Sequence, residues 1–360
     1  MKILLLSPYD ALSHQYWRKE LIQQLSEHEF TVVCLPARYF SWRFRGNSLT
    51  LAHDEKLQQR YDLVIATSMT DLAALKGMCD SLAGVPTILY FHENQFAYPE
   101  QGSKTHLVER QITNLYSAVT ATKLVFNSEF NRQTFLKGCQ AFLAKMPDGV
   151  PDGLAQTLQA KSQVVAVPLS QRPGSSRSKS DLFSIVWNHR WEYDKGLALL
   201  ASIVKSLLQA GFDFRFHLIG QSFRQVPAEI KLAKDLLMDA GKLGELGFVE
   251  EKTAYLELLQ SSHLVLSTAS HEFQGIAVQE AMAAGCVPLV PDDLAYREFV
   301  PAGQRYKDQA DALSKIASHY HQFLNNDLKP MRPAPQTDWS SVQVAWRGLV
   351  NSVPSDLSRV

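Results

Sequence analysis

Short runs of continuous apolar residues alternate with longer amphipathic stretches along most of the chain, and this restricts the fold more than any other feature. The apolar runs fall at residues 2–7, 31–35, 63–66, 87–91, 124–127 and 164–167. Helix-like periodicity fills most of the gaps, as at 15–25, 71–79, 107–120 and 129–143. A strand with one wet face alternates apolar and polar residues, whereas a strand covered on both faces is apolar throughout. Covered strands separated by helices predict a doubly wound parallel α/β sheet. The series breaks once, at the Ser-rich stretch 169–180, whose Pro and Gly mark an exposed linker. A second series follows, with strands at 183–187, 214–219, 247–249, 264–267 and 287–290. Its helices are expected at 196–210, 228–240, 253–261 and 276–284.

The expected architecture is therefore two Rossmann-like domains, 1–168 and 182–335, joined by a linker at 169–181 and facing each other across a cleft. Residues 336–360 follow three prolines and carry an amphipathic stretch at 339–350, which suits a terminal helix packed back on the first domain. A chain of 360 residues is long enough for two such cores. Lys+Arg and Asp+Glu balance at 36 each, so no global field recruits nucleic acid or a membrane. Cys34, Cys79, Cys139 and Cys286 are far apart and form no metal-type pair. Reduced thiols in a cytoplasmic protein are the expectation. The apolar start at 1–7 is too short for a signal peptide and reads as a first strand. No run reaches membrane-spanning length, so no membrane partner is expected.

In such folds ligands bind beyond the carboxyl ends of the strands. One segment of the second domain stands out there: His271-Glu272-Phe273-Gln274-Gly275-Ile276-Ala277-Val278-Gln279-Glu280. Its setting places Glu272 in a strand-to-helix loop and Glu280 within the next helix. A carboxylate at Glu280 can accept both hydrogen bonds of a ribose diol. The first N–H groups at Gly275, Ile276 and Ala277 can cradle a phosphate, aided by the helix dipole. Glu272 can reach sugar hydroxyls. Together these suit a nucleotide sugar. Arg190 and Lys195, five apart in the loop 188–196, would neutralise a diphosphate and its departing charge. Phe248 ends a predicted strand and can line a base pocket or lie in the core. There is no Asp-x-Asp pair and no His/Cys/Asp metal cluster, so a metal-independent reaction without cofactor is expected, with the two cations in the ion's place. Lys195→Ala is expected to cut turnover by orders of magnitude with the fold intact.

The first domain carries two further clusters. His92-Glu93-Asn94-Gln95, between Phe91 and Phe96, gathers hydrogen-bonding groups and rings at a strand's carboxyl end, where they can hold a sugar. Residues 36–46 interleave Arg38, Arg43 and Arg45 with Tyr39, Phe40, Trp42 and Phe44. This mixture suits phosphate and unstacked bases, a hint of RNA; the alternative is a surface loop anchored by its rings.

The Glu272…Glu280 element with the Arg190…Lys195 loop resembles retaining GT-B glycosyltransferases. Leu35-Pro36-Ala37-Arg38, Trp42-Arg43, the run 91–99, Phe126-Asn127-Ser128, Lys145-Met146-Pro147-Asp148 and the run 188–195 together resemble the tRNA-queuosine alpha-mannosyltransferase family. That resemblance implies GDP-mannose as donor and the cyclopentene diol of queuosine in the tRNA-Asp anticodon as acceptor. It implies diphosphate binding by Arg190 and Lys195, ribose binding by Glu280, and mannose hydroxyls held by Glu272. His92 would sit beside the reacting carbon. Ser13, His14, Arg38, Trp42, Arg43, Arg45, Glu93, Asn94 and Gln95 would serve the acceptor. The family's first loop carries Gly-Gly before Ser-His, where this chain has Ala11-Leu12. Two other readings remain open: a retaining transferase moving a UDP-sugar to a lipid or polysaccharide, and a non-catalytic RNA-binding protein on the same fold.

Overall fold

The computed structural model describes residues 1–98, 104–169, 179–222 and 225–356. They fall into two compact units, one of residues 1–168 with 336–360 and one of residues 169–335. Most of the linker expected at 169–181, namely residues 170–178, lies outside the described residues.

Unit 1 begins with β1 (Lys2–Asp10), α1 (Leu12–Gln24), β2 (Glu29–Pro36), α2 (Phe40–Ala52), β3 (Leu63–Thr67) and α3 (Leu72–Met78). It continues with β4 (Thr87–Phe91), α4 (Lys104–Thr120), β5 (Lys123–Phe126), α5 (Glu129–Leu143), α6 (Leu154–Ala160) and β6 (Ser162–Val164). The six strands pair in parallel in the order β2-β1-β3-β4-β5-β6. β3 and β4 are buried at every position, as their unbroken apolar runs require. Polar side chains cap α3 and α5: Asp71 accepts from the Ala74 N–H and Ser128 from the Asn131 N–H.

Unit 2 contains β7 (Phe183–Asn188), α7 (Leu197–Gln209), β8 (Phe214–Ile219), α8 (Ala228–Asp239), β9 (Leu243–Gly247) and α9 (Lys252–Ser261). Then come β10 (Leu264–Leu266), α10 (Ile276–Ala283), β11 (Val287–Pro291), β12 (Arg305–Tyr306) and α11 (Gln309–Leu324). Its strand order is β12-β11-β10-β7-β8-β9, again all parallel. The order reverses between β7 and β10, which opens a crevice beyond their carboxyl ends. The terminal helix α12 (Trp339–Asp356) packs in unit 1. Trp339 donates to Glu20, Arg347 pairs with Glu27, and Trp346 lies 6.1 Å from Trp17.

Three local expectations change. Residues 36–46 are not a loop: α2 begins at Phe40 and buries Phe44 and Leu51 in the unit 1 core. The edge strand β9 precedes the expected 247–249, because Gly244, Glu245 and Gly247 break up its apolar pattern. The last strand of unit 1, β6, ends at Val164, and the apolar 165–167 leave the sheet beyond it. Among the described residues, no helix is long and apolar enough to cross a membrane.

Candidate functional site

In unit 2 the loops after β7 and β10 meet at the crevice and are bonded together. The Asp194 carbonyl accepts from the N–H groups of Ser270 (2.9 Å) and His271 (3.1 Å). Thr268 Oγ1 donates to the Lys195 carbonyl (2.7 Å) and accepts from Trp187 Nε1 (3.0 Å). Gly196 makes this approach possible. Its φ is 64°, and a Cβ there would lie 1.8 Å from the Thr268 carbonyl oxygen.

Lys195 is the centre of the arrangement. It is only 6% exposed, and its Nζ lies 3.0 Å from Asp194 Oδ2, 3.3 Å from Glu272 Oε2 and 3.0 Å from the His271 carbonyl. Burial alone would lower the ammonium pKa, but Glu272 and Asp194 outweigh it and raise it. Burial alone would raise the Glu272 pKa. Lys195, His189 and the backbone N–H groups of Gly275 and Gln274 instead hold it down to about 2. Both groups are therefore charged near neutrality. Glu272 Oε1 also accepts from the Phe273 N–H at 3.1 Å.

Gly275, whose N–H helps to hold the Glu272 pKa down, precedes α10 at φ 73°, and the first-turn N–H groups of Ile276 and Ala277 lack intrahelical acceptors. Arg190 is exposed and paired with Glu192 at 2.7 Å. Glu280 faces Lys252 (2.6 Å) and Tyr255 (3.0 Å). Each basic side chain named here thus already holds a carboxylate. Phe248 is no core residue: it follows β9 and is 55% exposed. Sequence reasoning gave no role to Asp194 or to the buried His189, whose pKa falls to about 3 through burial and then Lys195. Their motif neighbours were visible, but their burial was not.

In unit 1, His14 in the first turn of α1 and His92 after β4 meet edge to face, ring centroids 4.1 Å apart. Trp17 stacks on Tyr90 at 4.5 Å and lies edge-on to His92 at 5.0 Å. Burial, and then His14, lower the His92 pKa well below its ordinary value, so its imidazole is neutral. His14 Nε2 lies 3.6 Å from Glu93 Oε2. Ser13 is exposed on the same turn.

Asn94 does not serve as expected. It is 0% exposed, and its amide donates to Asn131 (2.8 Å) and Thr134 (3.0 Å) while accepting from the N–H groups of Phe96 and Ala97. The loop's own donors needed that partner, so Asn94 shapes the loop and cannot face an acceptor. Gln95 is likewise buried, its N–H bonded to Asn114.

The basic, aromatic patch is a helix start. Tyr39 adopts φ 54°, a left-handed conformation that costs roughly 1–2 kcal/mol, and projects outward under Arg38. Trp42 is 57% exposed and lies over Gly46, where a Cβ would come 2.7 Å from the indole. Arg45 pairs with Asp71 at 2.6 Å, and Arg43 is partly buried. The fold adds Arg110 of α4, 5.7 Å from the Phe40 ring, which sequence spacing could not reveal. The described residues hold no group of three or more His, Cys, Asp or Glu side chains placed to bind a metal.

Residues 2–169 match the family model for the tRNA-queuosine alpha-mannosyltransferase N-terminal region, and residues 172–334 match glycosyl transferases group 1. A Drosophila melanogaster tRNA-queuosine alpha-mannosyltransferase is 32% identical over 324 residues, covering 87% of this chain and 85% of the relative. Solved structures share the fold. Anabaena HepE with UDP and glucose aligns over 98% of this chain and 100% of its own, with TM-score 0.67 and 15% identity. Sucrose-phosphate synthase from Thermosynechococcus elongatus aligns over 99% and 100%, with TM-score 0.71 and 11% identity. The two parallel sheets are those of a GT-B glycosyltransferase, and the chain belongs to the tRNA-queuosine alpha-mannosyltransferase family.

Proposed function

We propose that this chain transfers mannose from GDP-mannose, with retention, to the cyclopentene diol of queuosine in the tRNA-Asp anticodon. The observation that carries a transferase reading is the buried Lys195, held between Asp194 and Glu272 at the sheet's switch point. A cation fixed in a dry site stabilises charge as it develops on a leaving diphosphate. The likeness to the Drosophila tRNA-queuosine alpha-mannosyltransferase supports the acceptor.

In this reading Lys195 and Arg190 take the diphosphate, Arg190 exchanging Glu192 for a phosphate oxygen. The N–H groups of Ile276 and Ala277 hold a second oxygen. Glu280 takes the ribose and Phe248 the base. Glu272 keeps one oxygen on Lys195 and offers acceptor capacity to the mannose hydroxyls. The bond from the anomeric carbon to phosphate breaks as the acceptor oxygen attacks the same face, and the departing phosphate takes the acceptor's proton. The neutral His92 steadies the sugar without acting as base. The tRNA rests on the Arg38, Trp42, Arg45 and Arg110 surface, with Ser13, His14 and Glu93 nearer the modified nucleoside.

The test is mass spectrometry of nucleosides from queuosine-containing tRNA incubated with the protein and GDP-mannose. A gain of one hexose on queuosine is expected. A gain only with UDP-sugars would overturn the donor assignment, and no gain with any donor would overturn the acceptor.

A further inference from the structure

The carboxylate assigned to ribose is held by residues to which the sequence reading gave no role. Asn188, the last residue of β7, donates through Nδ2 to the Ala277 carbonyl (2.9 Å) and to the Tyr255 hydroxyl (3.0 Å). A carbonyl can only accept, so the amide nitrogen, not its oxygen, must face Ala277. The Tyr255 oxygen then accepts from that same NH2 group. Its own proton is left for Glu280 Oε2, 3.0 Å away. The direction of the relay is thereby fixed, from Asn188 through Tyr255 to Glu280. Lys252 holds Oε1 at 2.6 Å, but its side chain is largely exposed and leans over the Tyr255 ring at 4.8 Å. Asn188 Oδ1 is buried and without a hydrogen-bond partner.

We propose that Tyr255, oriented by Asn188, is the positioning residue that aims the Glu280 carboxylate at the ribose diol of the donor nucleotide. The inference rests on the assignment of Glu280 to ribose. A carboxylate oxygen has capacity for two hydrogen bonds, so Oε2 can keep the tyrosine and still accept a ribose hydroxyl. The tyrosine restricts Glu280 to one rotamer before the nucleotide arrives, which removes an ordering cost from binding. The largely exposed Lys252 restrains the carboxylate less.

Calorimetric titration of the full chain tests the proposal. The probes are GDP or UDP, whichever the unaltered chain binds more tightly, and its 2′,3′-dideoxy counterpart. The unaltered chain is expected to prefer the ribonucleotide by about 10-fold or more, and Glu280→Gln to lose most of that preference. Tyr255→Phe is expected to weaken ribonucleotide binding roughly 5- to 10-fold while changing dideoxynucleotide binding less than about 2-fold. Lys252→Met is expected to keep the preference. Equal weakening of both nucleotides by Tyr255→Phe, or no change, overturns the tyrosine's role while leaving Glu280 on the ribose. Loss of the preference in Lys252→Met alone assigns the aiming to the lysine and has the same effect. An unaltered chain that binds neither nucleotide, or binds both equally, overturns the ribose assignment and this inference with it.

Discussion

At the scale of single residues, the decisive fact is that Lys195 is buried between two acids. From sequence it is one of two surface cations in a loop, replaceable without harm to the fold. In the structure it is the shared counter-ion of Asp194 and Glu272. Removing it leaves two carboxylates in a buried setting, a defect of about 3–5 kcal/mol. Lys195→Ala is therefore expected to lower the thermal unfolding midpoint as well as to cut turnover roughly 100-fold or more, measured well below that midpoint. Near-normal turnover would remove Lys195 from the leaving-group assignment. Gly196 permits a different kind of test. A methyl group there meets the Thr268 carbonyl at 1.8 Å with φ at 64°, so Gly196→Ala must push the two site loops apart. Loss of nucleotide binding together with stability is expected, read by calorimetry and thermal melting. A variant that binds nucleotide normally would show that the loops need not meet. The spacing of Arg190, Lys195, Glu272 and Glu280 was legible along the chain. Asp194, Tyr255 and Asn188 were not recognised, because their importance comes from partners 67 to 89 positions away or from burial.

At the scale of elements, most strands and helices could be read directly, since an unbroken apolar run has few alternatives to a covered strand. The exception with functional weight is α2. Its Arg and aromatic residues looked like a decorated loop, yet Phe44 at one face and Trp42 at another are separated by the helical turn. Gly46, four residues after Trp42, lets the indole lie flat along the helix with its outer face open. Base stacking on such a face contributes about 1–3 kcal/mol. Gly46→Ala displaces the indole but adds a better helix former, which offsets about 0.8–1 kcal/mol. The expected result is an unchanged or slightly higher melting midpoint with tRNA affinity reduced about 10-fold. Filter binding with tRNA at fixed salt separates the two effects, and unaltered affinity would dismiss Trp42 as a platform.

At the scale of the whole molecule, the second unit has its own response to acid. His217, His263 and His271 have pKa values lowered to about 4, and His189 to about 3, in each case first by burial and then by a neighbouring cation. The folded unit therefore binds fewer protons than the unfolded chain once the pH drops below 6.5, the ordinary histidine value. Their contribution to stability is intact above that pH and is lost as the pH falls toward 4. Glu272, held near 2, adds a further loss only below its ordinary value of 4.5. A thermal melting series from pH 7 to pH 4 should show a falling midpoint, and a flat profile would mean that these imidazoles are not neutral in the folded chain. By itself, the sequence determined the two parallel sheets, their break near residue 170 and the loops that carry the candidate donor groups. Those features follow from local periodicity and from the chemistry of single side chains. Only the tertiary structure decided which charges are already paired, that Asn94 is consumed by its own loop, and that Arg110 reaches the α2 patch. Burial and hydrogen-bond satisfaction depend on contacts between segments far apart in the chain, and no local pattern encodes them.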